Sequence, residues 1–285
     1  MKNILKKLSL IATISFTLGN IAPVFAQEGP ISVVSREDGS GTRGAFVEIV
    51  KVETEDGDDN TTLSAVIQNS TNGVMQTVAN DPSSVGYISL GSLDDSIKAV
   101  KVDGVEASAE NVKSGEYKLA RPFNLAWNKE KGLSDVAQDF LDYIHSTQGQ
   151  KIVEERGFIS SAKDKTQEYK TKELKGTVEV VGSTSVTPAI EVLAEEYKKI
   201  NPKVTINITS NGSSAGMEAA INGAADLGMA SRELSEDESS KLDQDAIALD
   251  GIAVIVNKEN KLDNLTLDQI RKIFLGEIED WSEIK

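Results

Sequence analysis

The chain contains no cysteine and one histidine, His145. Without thiols there are no disulfides, no thiol nucleophile, no cysteine-bound metal and no lipid-modified cysteine behind an export signal. With one histidine, an enzyme acting on ester bonds lacks the usual partnership of nucleophile and base. Positive charge is also scarce: 30 Lys and Arg stand against 45 Asp and Glu, a formal charge of −15. Such a surface repels nucleic acid and anionic lipid, so neither is expected as a partner. Beyond residue 26 no apolar run is long enough to span a bilayer.

The one long apolar stretch lies at the start. Lys2, Lys6 and Lys7 precede Leu8 to Ile21, and Val24 Phe25 Ala26 forms a small-residue cleavage site, so residues 1–26 read as an export signal. A membrane anchor is the competing reading, but the run is short and interrupted by Ser, Thr, Gly and Asn. Cleavage removes three lysines and no acid, leaving a formal charge of about −18. Any anion site in such a protein has to act through close, oriented donors, because salt screens longer-range fields beyond roughly 10 Å.

Three stretches supply such donors. Ile31 to Ser35 is an apolar run that feeds Arg36 Glu37 Asp38 Gly39 Ser40 Gly41 Thr42 Arg43 Gly44, a glycine- and hydroxyl-rich turn. Val178 to Val181 leads into Gly182 Ser183 Thr184 Ser185, with Pro188 suited to the first turn of a following helix. Val204 to Ile208 alternates as a strand and ends in Asn211 Gly212 Ser213 Ser214 Ala215 Gly216. Each reads as strand, tight turn, helix. That arrangement aims N–H groups, hydroxyls and a helix dipole at one spot, and in an open α/β sheet such spots gather at the carboxyl ends of the strands. Ala225 to Arg232 is a fourth short strand, ending in Ser231 and Arg232.

The rest of the chain fits an α/β protein. Helices are predicted over Ala45 to Lys51, Gly73 to Asn80, Asp135 to Phe158 and Leu265 to Phe274, a strand over Val85 to Leu90, and a hairpin about Asp103 Gly104. Tyr117 to Trp127 and Ile252 to Val256 are extended and suit crossings between two lobes. The acidic run Glu53 to Asn60 reads as an exposed loop; it lacks the alternation and distal glutamate of a calcium loop. Residues 161–175 are highly charged and nearly devoid of apolar side chains, a linker or a solvated helix.

Assembled, these motifs resemble the phosphate-binding proteins of bacterial phosphate ABC importers, over nearly all of residues 29–285. The most specific parts are Gly182 Ser183 Thr184 Ser185 with Pro188, Asn211 to Gly216, Arg36 to Thr42, and Val85 Gly86 Tyr87. The order differs from the family pattern: the half resembling residues 176–284 ordinarily comes first, so the chain resembles a circular permutant whose residues 161–175 join the family's usual ends. The resemblance implies a two-lobed, type II periplasmic-binding-protein-like α/β fold with mixed sheets flanked by helices and a hinge of two crossing strands. One lobe would be residues 27–120 with 250–285, the other 121–249.

By the same resemblance, Arg36 pairs with two phosphate oxygens, Asp38 holds that arginine, Ser40, Thr42, Thr184 and Ser213 donate hydroxyl bonds, and Gly41 and Ser185 add backbone N–H donors. Ser231 stands where some members carry an aspartate that accepts the proton of phosphate. An arginine fork matches a tetrahedral oxyanion bidentately. Hydrogen bonds to charge are worth about 1.5 to 3 kcal/mol each, so several cover the roughly 8 kcal/mol of micromolar affinity. The implied protein is an exported monomer that passes inorganic phosphate to a membrane permease, with no catalytic residue, cofactor or metal. A binder of another oxyanion such as sulfate, and a surface adhesin on the same fold, remain as alternatives.

Overall fold

The computed structural model describes residues 28–161 and 166–284. The export signal read over residues 1–26 lies outside the described residues. Among these residues, the chain begins with β1 (Ser32–Arg36), α1 (Gly41–Val50), β2 (Val66–Gln68), α2 (Thr71–Asn80), β3 (Ser84–Ser89), β4 (Lys98–Ala99), β5 (Lys101–Val102) and α3 (Ala109–Ser114). It continues with β6 (Ala120–Asn128), α4 (Asp135–Ile144), α5 (Thr147–Glu155), β7 (Ile159–Ser160), β8 (Gly176–Gly182), α6 (Thr187–Ile200), β9 (Val204–Ser210), α7 (Ser213–Ile221) and β10 (Leu227–Ala230). The last elements are α8 (Glu236–Lys241), β11 (Leu242–Val256), β12 (Asn264–Leu265) and α9 (Leu267–Leu275). No helix among the described residues is long and apolar enough to cross a membrane.

The strands form a mixed sheet in the order β2-β1-β3-β11-β6-β10-β8-β9, with β4 and β7 also paired to β11. β1, β2 and β3 run parallel, as do β10, β8 and β9, while β11 is antiparallel to both β3 and β6. Helices cover the sheet because the apolar side chains of α1, α2, α6 and α9 recur at helical spacing and bury against it. Two principal hydrophobic clusters result. One draws on residues 33–119 and 252–284 together with Ile159 of β7, with Phe46 stacked on Tyr87 at 4.0 Å, and the other on residues 123–158 and 178–248.

The long strand β11 serves both clusters. Its second part, Ile252 to Val256, pairs with β3, and its first part, Leu242 to Gly251, pairs with β6. The predicted crossing at Ile252 to Val256 is therefore the end of a strand that starts ten residues earlier. Asp243, Gln244 and Asp245 are all exposed and are held in the strand by the ladder to β6, so apolar periodicity does not reveal them.

Residues 166–175 form neither a helix nor a free linker. Tyr169 and Leu174 pack on the second cluster, and the Tyr169 hydroxyl donates to Asp139 Oδ2 at 2.6 Å beside the Tyr197 hydroxyl at 2.7 Å. Thr171 donates to Asn201 Oδ1 at 2.7 Å, and the Lys172 ammonium lies 3.0 Å from both Asp139 and Asp142. Asp139 is fully buried, and a buried carboxylate needs such partners to offset lost hydration. The segment is a strap anchored along its length. At the other junction, Ile31 N–H donates to the Glu279 carbonyl at 2.8 Å and Trp281 N–H to the Gly29 carbonyl at 2.9 Å, so the two ends of the described chain lie side by side.

Candidate functional site

All the anion turns lie at carboxyl ends of parallel strands and face one another. β1 ends in Arg36, which is buried, and the turn behind it leads into α1. Ser40 caps α1 by accepting from the Arg43 N–H at 3.4 Å, and Ser70 caps α2 by accepting from the Gly73 N–H at 3.0 Å. α6 and α7 have no side-chain cap. α7 instead follows Gly212, whose φ of 104° lies in a region that other residues rarely enter. Uncapped first turns present donors and the positive dipole end toward the crevice.

The guanidinium of Arg36 organises one wall. Its Nε and Nη2 each donate to a carboxylate oxygen of Glu37 at 2.7 Å, a bidentate pair. The outer edge, Nη1 and Nη2, points at two hydroxyls: Thr71 Oγ1 at 3.4 Å and Thr184 Oγ1 at 3.0 Å. From below, Tyr87 supports the strand end, its hydroxyl 2.8 Å from Ser35 Oγ and accepting from the Arg36 N–H at 3.4 Å. Burial pushes the Tyr87 phenol up to about 12, so it stays a neutral hydrogen-bonding group.

Hydroxyls from both clusters meet at this wall. Thr42 Oγ1 lies 2.9 Å from Ser185 Oγ, and Thr71 Oγ1 lies 3.1 Å from Ser185 Oγ and 3.2 Å from Thr184 Oγ1. On the second wall, Ser183 Oγ donates to Ser231 Oγ at 2.9 Å, and the Ser231 N–H donates to Ser213 Oγ at 3.2 Å. Gly41 sits against this pair so closely that a Cβ would run into Ser213 Oγ and Ser231 Oγ. Nearby, the Ser214 N–H donates to the Gly39 carbonyl at 3.1 Å, directly linking the first and third turns. Arg36, Ser40, Thr42, Thr71, Ser185, Ser213 and Ser231 are all buried.

Of the residues singled out in the sequence, Arg36, Gly41, Thr42, Thr184, Ser185, Ser213 and Ser231 come together, and Ser40 stands beside them as the cap of α1. Asp38 does not hold Arg36. It is exposed and accepts from the Gly39 N–H at 2.9 Å, closing the turn on itself. Glu37, adjacent to the arginine and one methylene longer, takes the role instead. Thr71 is absent from the sequence-derived candidates, and Ser183 enters them only as part of its turn, with no role of its own. Thr71 begins a fourth strand–turn–helix unit, Val66 to Gln68 followed by Asn69 Ser70 Thr71 Asn72 Gly73, whose hydroxyl signal is present but whose strand is only three residues long. Among the described residues no cluster of three or more His, Asp or Glu is arranged to hold a metal.

The likeness to known proteins agrees with this geometry. A family model described as a PBP superfamily domain matches residues 13–148 and 161–284. The phosphate-binding protein PstS 2 of Streptococcus pneumoniae is 53% identical over 260 residues, 90% of this chain and 88% of that protein. Its namesake in Streptococcus agalactiae is 46% identical over 264 residues, 91% of this chain and 89% of that one. A crystal structure of a phosphate ABC transporter, phosphate-binding protein from Streptococcus pneumoniae superposes with a TM-score of 0.73 at 52% identity, covering 90% of this chain and 100% of its own. With parallel strands directing capped and uncapped helices at one crevice, and with relatives aligned along nine-tenths of its length, this chain has the type II periplasmic-binding-protein fold and belongs to the PBP superfamily, among its phosphate-binding proteins.

Proposed function

We propose that the protein is an extracytoplasmic solute-binding protein that captures inorganic phosphate between two lobes and delivers it to the permease of an ABC importer. The observation that carries this reading is the outer edge of the Arg36 guanidinium, which faces hydroxyls contributed by both hydrophobic clusters. Glu37 occupies the inner edge and fixes the plane of the fork, leaving the outer edge for a tetrahedral oxyanion. The ligand set is Arg36, Ser40, Gly41, Thr42, Thr184, Ser185, Ser213 and Ser231, enlarged by Thr71. The names of the streptococcal relatives support phosphate and an ABC transporter.

The lobes are residues 27–120 with 250–285, and 121–249, following the two clusters, with β6 and β11 as the crossing strands. The order of the halves is a circular permutation of the family pattern. The side-by-side ends at Gly29 to Ile31 and Glu279 to Trp281 support this, since they sit where a peptide connection is geometrically simple. The alignment along 88% of the pneumococcal relative supports a common order of segments in the two chains. The protein acts as an exported monomer without enzymatic activity and without nucleic-acid binding. Its one histidine, His145, faces Asp245 at 3.0 Å, apart from the anion turns.

Sulfate is the second reading, favoured by one observation: the wall around Ser231 consists of hydroxyls, which donate as readily as they accept. Titration of the mature protein with phosphate and with sulfate, read by the fluorescence of Trp127 and Trp281, decides between them. Saturable one-to-one binding of phosphate is expected; no response to either anion refutes oxyanion capture.

A further inference from the structure

Arg121 and Asp250 face each other across the β6–β11 ladder, where both strands pass from one hydrophobic cluster to the other. Their side chains are 1% and 0% exposed. The Asp250 carboxylate is tied to the first cluster's side of the molecule, where Oδ1 accepts from Ser89 Oγ at 3.0 Å at the end of β3. Its Oδ2 accepts from Arg121 Nε at 3.3 Å and Nη2 at 3.1 Å. The remaining arm, Nη1, leaves the pair and donates to the Ser231 carbonyl at 3.1 Å, at the end of β10 on the other side. A continuous bonded path therefore runs from Ser89 through Asp250 and Arg121 to Ser231.

A buried ion pair is weak grounds for stability, because the cost of dehydrating both charges offsets their attraction and an apolar pair of similar volume often serves as well. What an apolar pair cannot supply is a donor to the Ser231 carbonyl. Ser231 in turn donates its N–H to Ser213 Oγ and accepts from Ser183 Oγ, so the setting of its backbone fixes three hydroxyls on one wall of the site. Burial pushes the Asp250 carboxyl up, to about 6, and the Arg121 guanidinium down, and the charge of Arg36 pushes Arg121 the same way.

We propose that Arg121 is a positioning residue for oxyanion selection: held by Asp250 at the strand crossing, it locks the Ser231 turn so that the Ser183, Ser213 and Ser231 hydroxyls keep one arrangement. This rests on the phosphate-capture reading and goes beyond it, because it assigns selectivity to a residue that touches no ligand. Replacing the arginine frees the wall to rearrange around either anion.

The test uses Arg121→Lys and the double variant Arg121→Met with Asp250→Leu, each examined by thermal melting, phosphate titration and sulfate competition. A lysine keeps a charge opposite Asp250 but cannot serve both the carboxylate and the Ser231 carbonyl. Both variants are expected to melt cooperatively while the phosphate-over-sulfate ratio drops about tenfold, the size expected for one hydrogen bond to a charged donor. Folded variants with the wild-type ratio overturn the proposal; should the double variant fail to fold, Arg121→Lys decides alone by the same criterion. Failure of the wild type to bind phosphate refutes the capture reading instead, so the two failures are distinct.

Discussion

Arg36 and Arg121 are both buried, and each faces a carboxylate, yet the two pairs distribute their donors differently. Glu37 takes only the Nε side of Arg36 and is itself 23% exposed, so the outer edge of that fork stays directed at hydroxyls of the crevice. Asp250 is wholly buried, and Arg121 has its third arm on a backbone carbonyl. The same chemical pair is thus used once to present donors and once to hold a strand end. Which of the two a buried arginine does depends on where its last N–H groups point, not on its burial or its partner.

That contrast is broken most directly at Arg36. Arg36→Ala removes a charged fork and is expected to weaken phosphate binding at least about 100-fold, whereas Ser40→Ala removes one hydroxyl and costs about tenfold. Titration of both variants checks the ranking, and equal losses would remove Arg36 from its central place. Next in size is the choice of carboxylate. Glu37→Gln weakens the hold on the fork and should lower affinity about fivefold, while Asp38→Asn, altering only an exposed turn, should stay within about twofold of wild type. The reverse order would return the supporting role to Asp38.

Both carboxylates are visible in the sequence, and residue type does not separate them. The three glycine- and hydroxyl-rich turns are legible because strand, turn and helix signals follow one another with few alternatives, and they account for every ligand candidate except Thr71 and Ser231, the latter marked by the end of a fourth short strand. Thr71 was hidden by the brevity of β2, and Glu37 by the geometry of the turn, which sends Asp38 to solvent. The first ten residues of β11 were hidden because pairing with β6, not apolar patterning, makes them a strand. Tyr169 is an isolated aromatic in a charged run, and its packing on the second cluster and its bond to Asp139, thirty residues away, are contacts that the local sequence does not show.

A smaller effect is expected at Ser231. A carboxylate there accepts the proton that phosphate carries and sulfate lacks, so Ser231→Asp should sharpen discrimination at neutral pH. The Ser231 carbonyl that Arg121 holds is unchanged by the substitution, which separates the side chain's part from the backbone's. If wild type already ignores a thousandfold excess of sulfate and Ser231→Asp only lowers phosphate affinity, another acceptor discriminates.

The smallest effect concerns stability. The Asp250 carboxyl is pushed up to about 6 by burial, so between about pH 4 and pH 6 the folded chain holds a proton that the unfolded chain has released. This group therefore adds stability as the pH falls through 6, and that contribution is lost as the pH rises through the same value. Melting temperatures of wild type and Asp250→Asn between pH 4 and 7 should show the difference growing in favour of wild type toward acid. A difference of opposite slope would mean that attraction to Arg121 outweighs burial.

β11 carries one more consequence, for how the molecule comes apart. The strand contributes Ile247 and Ala248 to one hydrophobic cluster and Ile252 to Val256 to the other, and its ladders with β3 and β6 are consecutive along a single backbone. Melting either half strips a partner from this shared strand and exposes apolar side chains of the half that remains. The two halves are thereby coupled in unfolding, so heat should produce one calorimetric transition, with matching van't Hoff and calorimetric enthalpies, where two independently cored lobes on a flexible tether would give two.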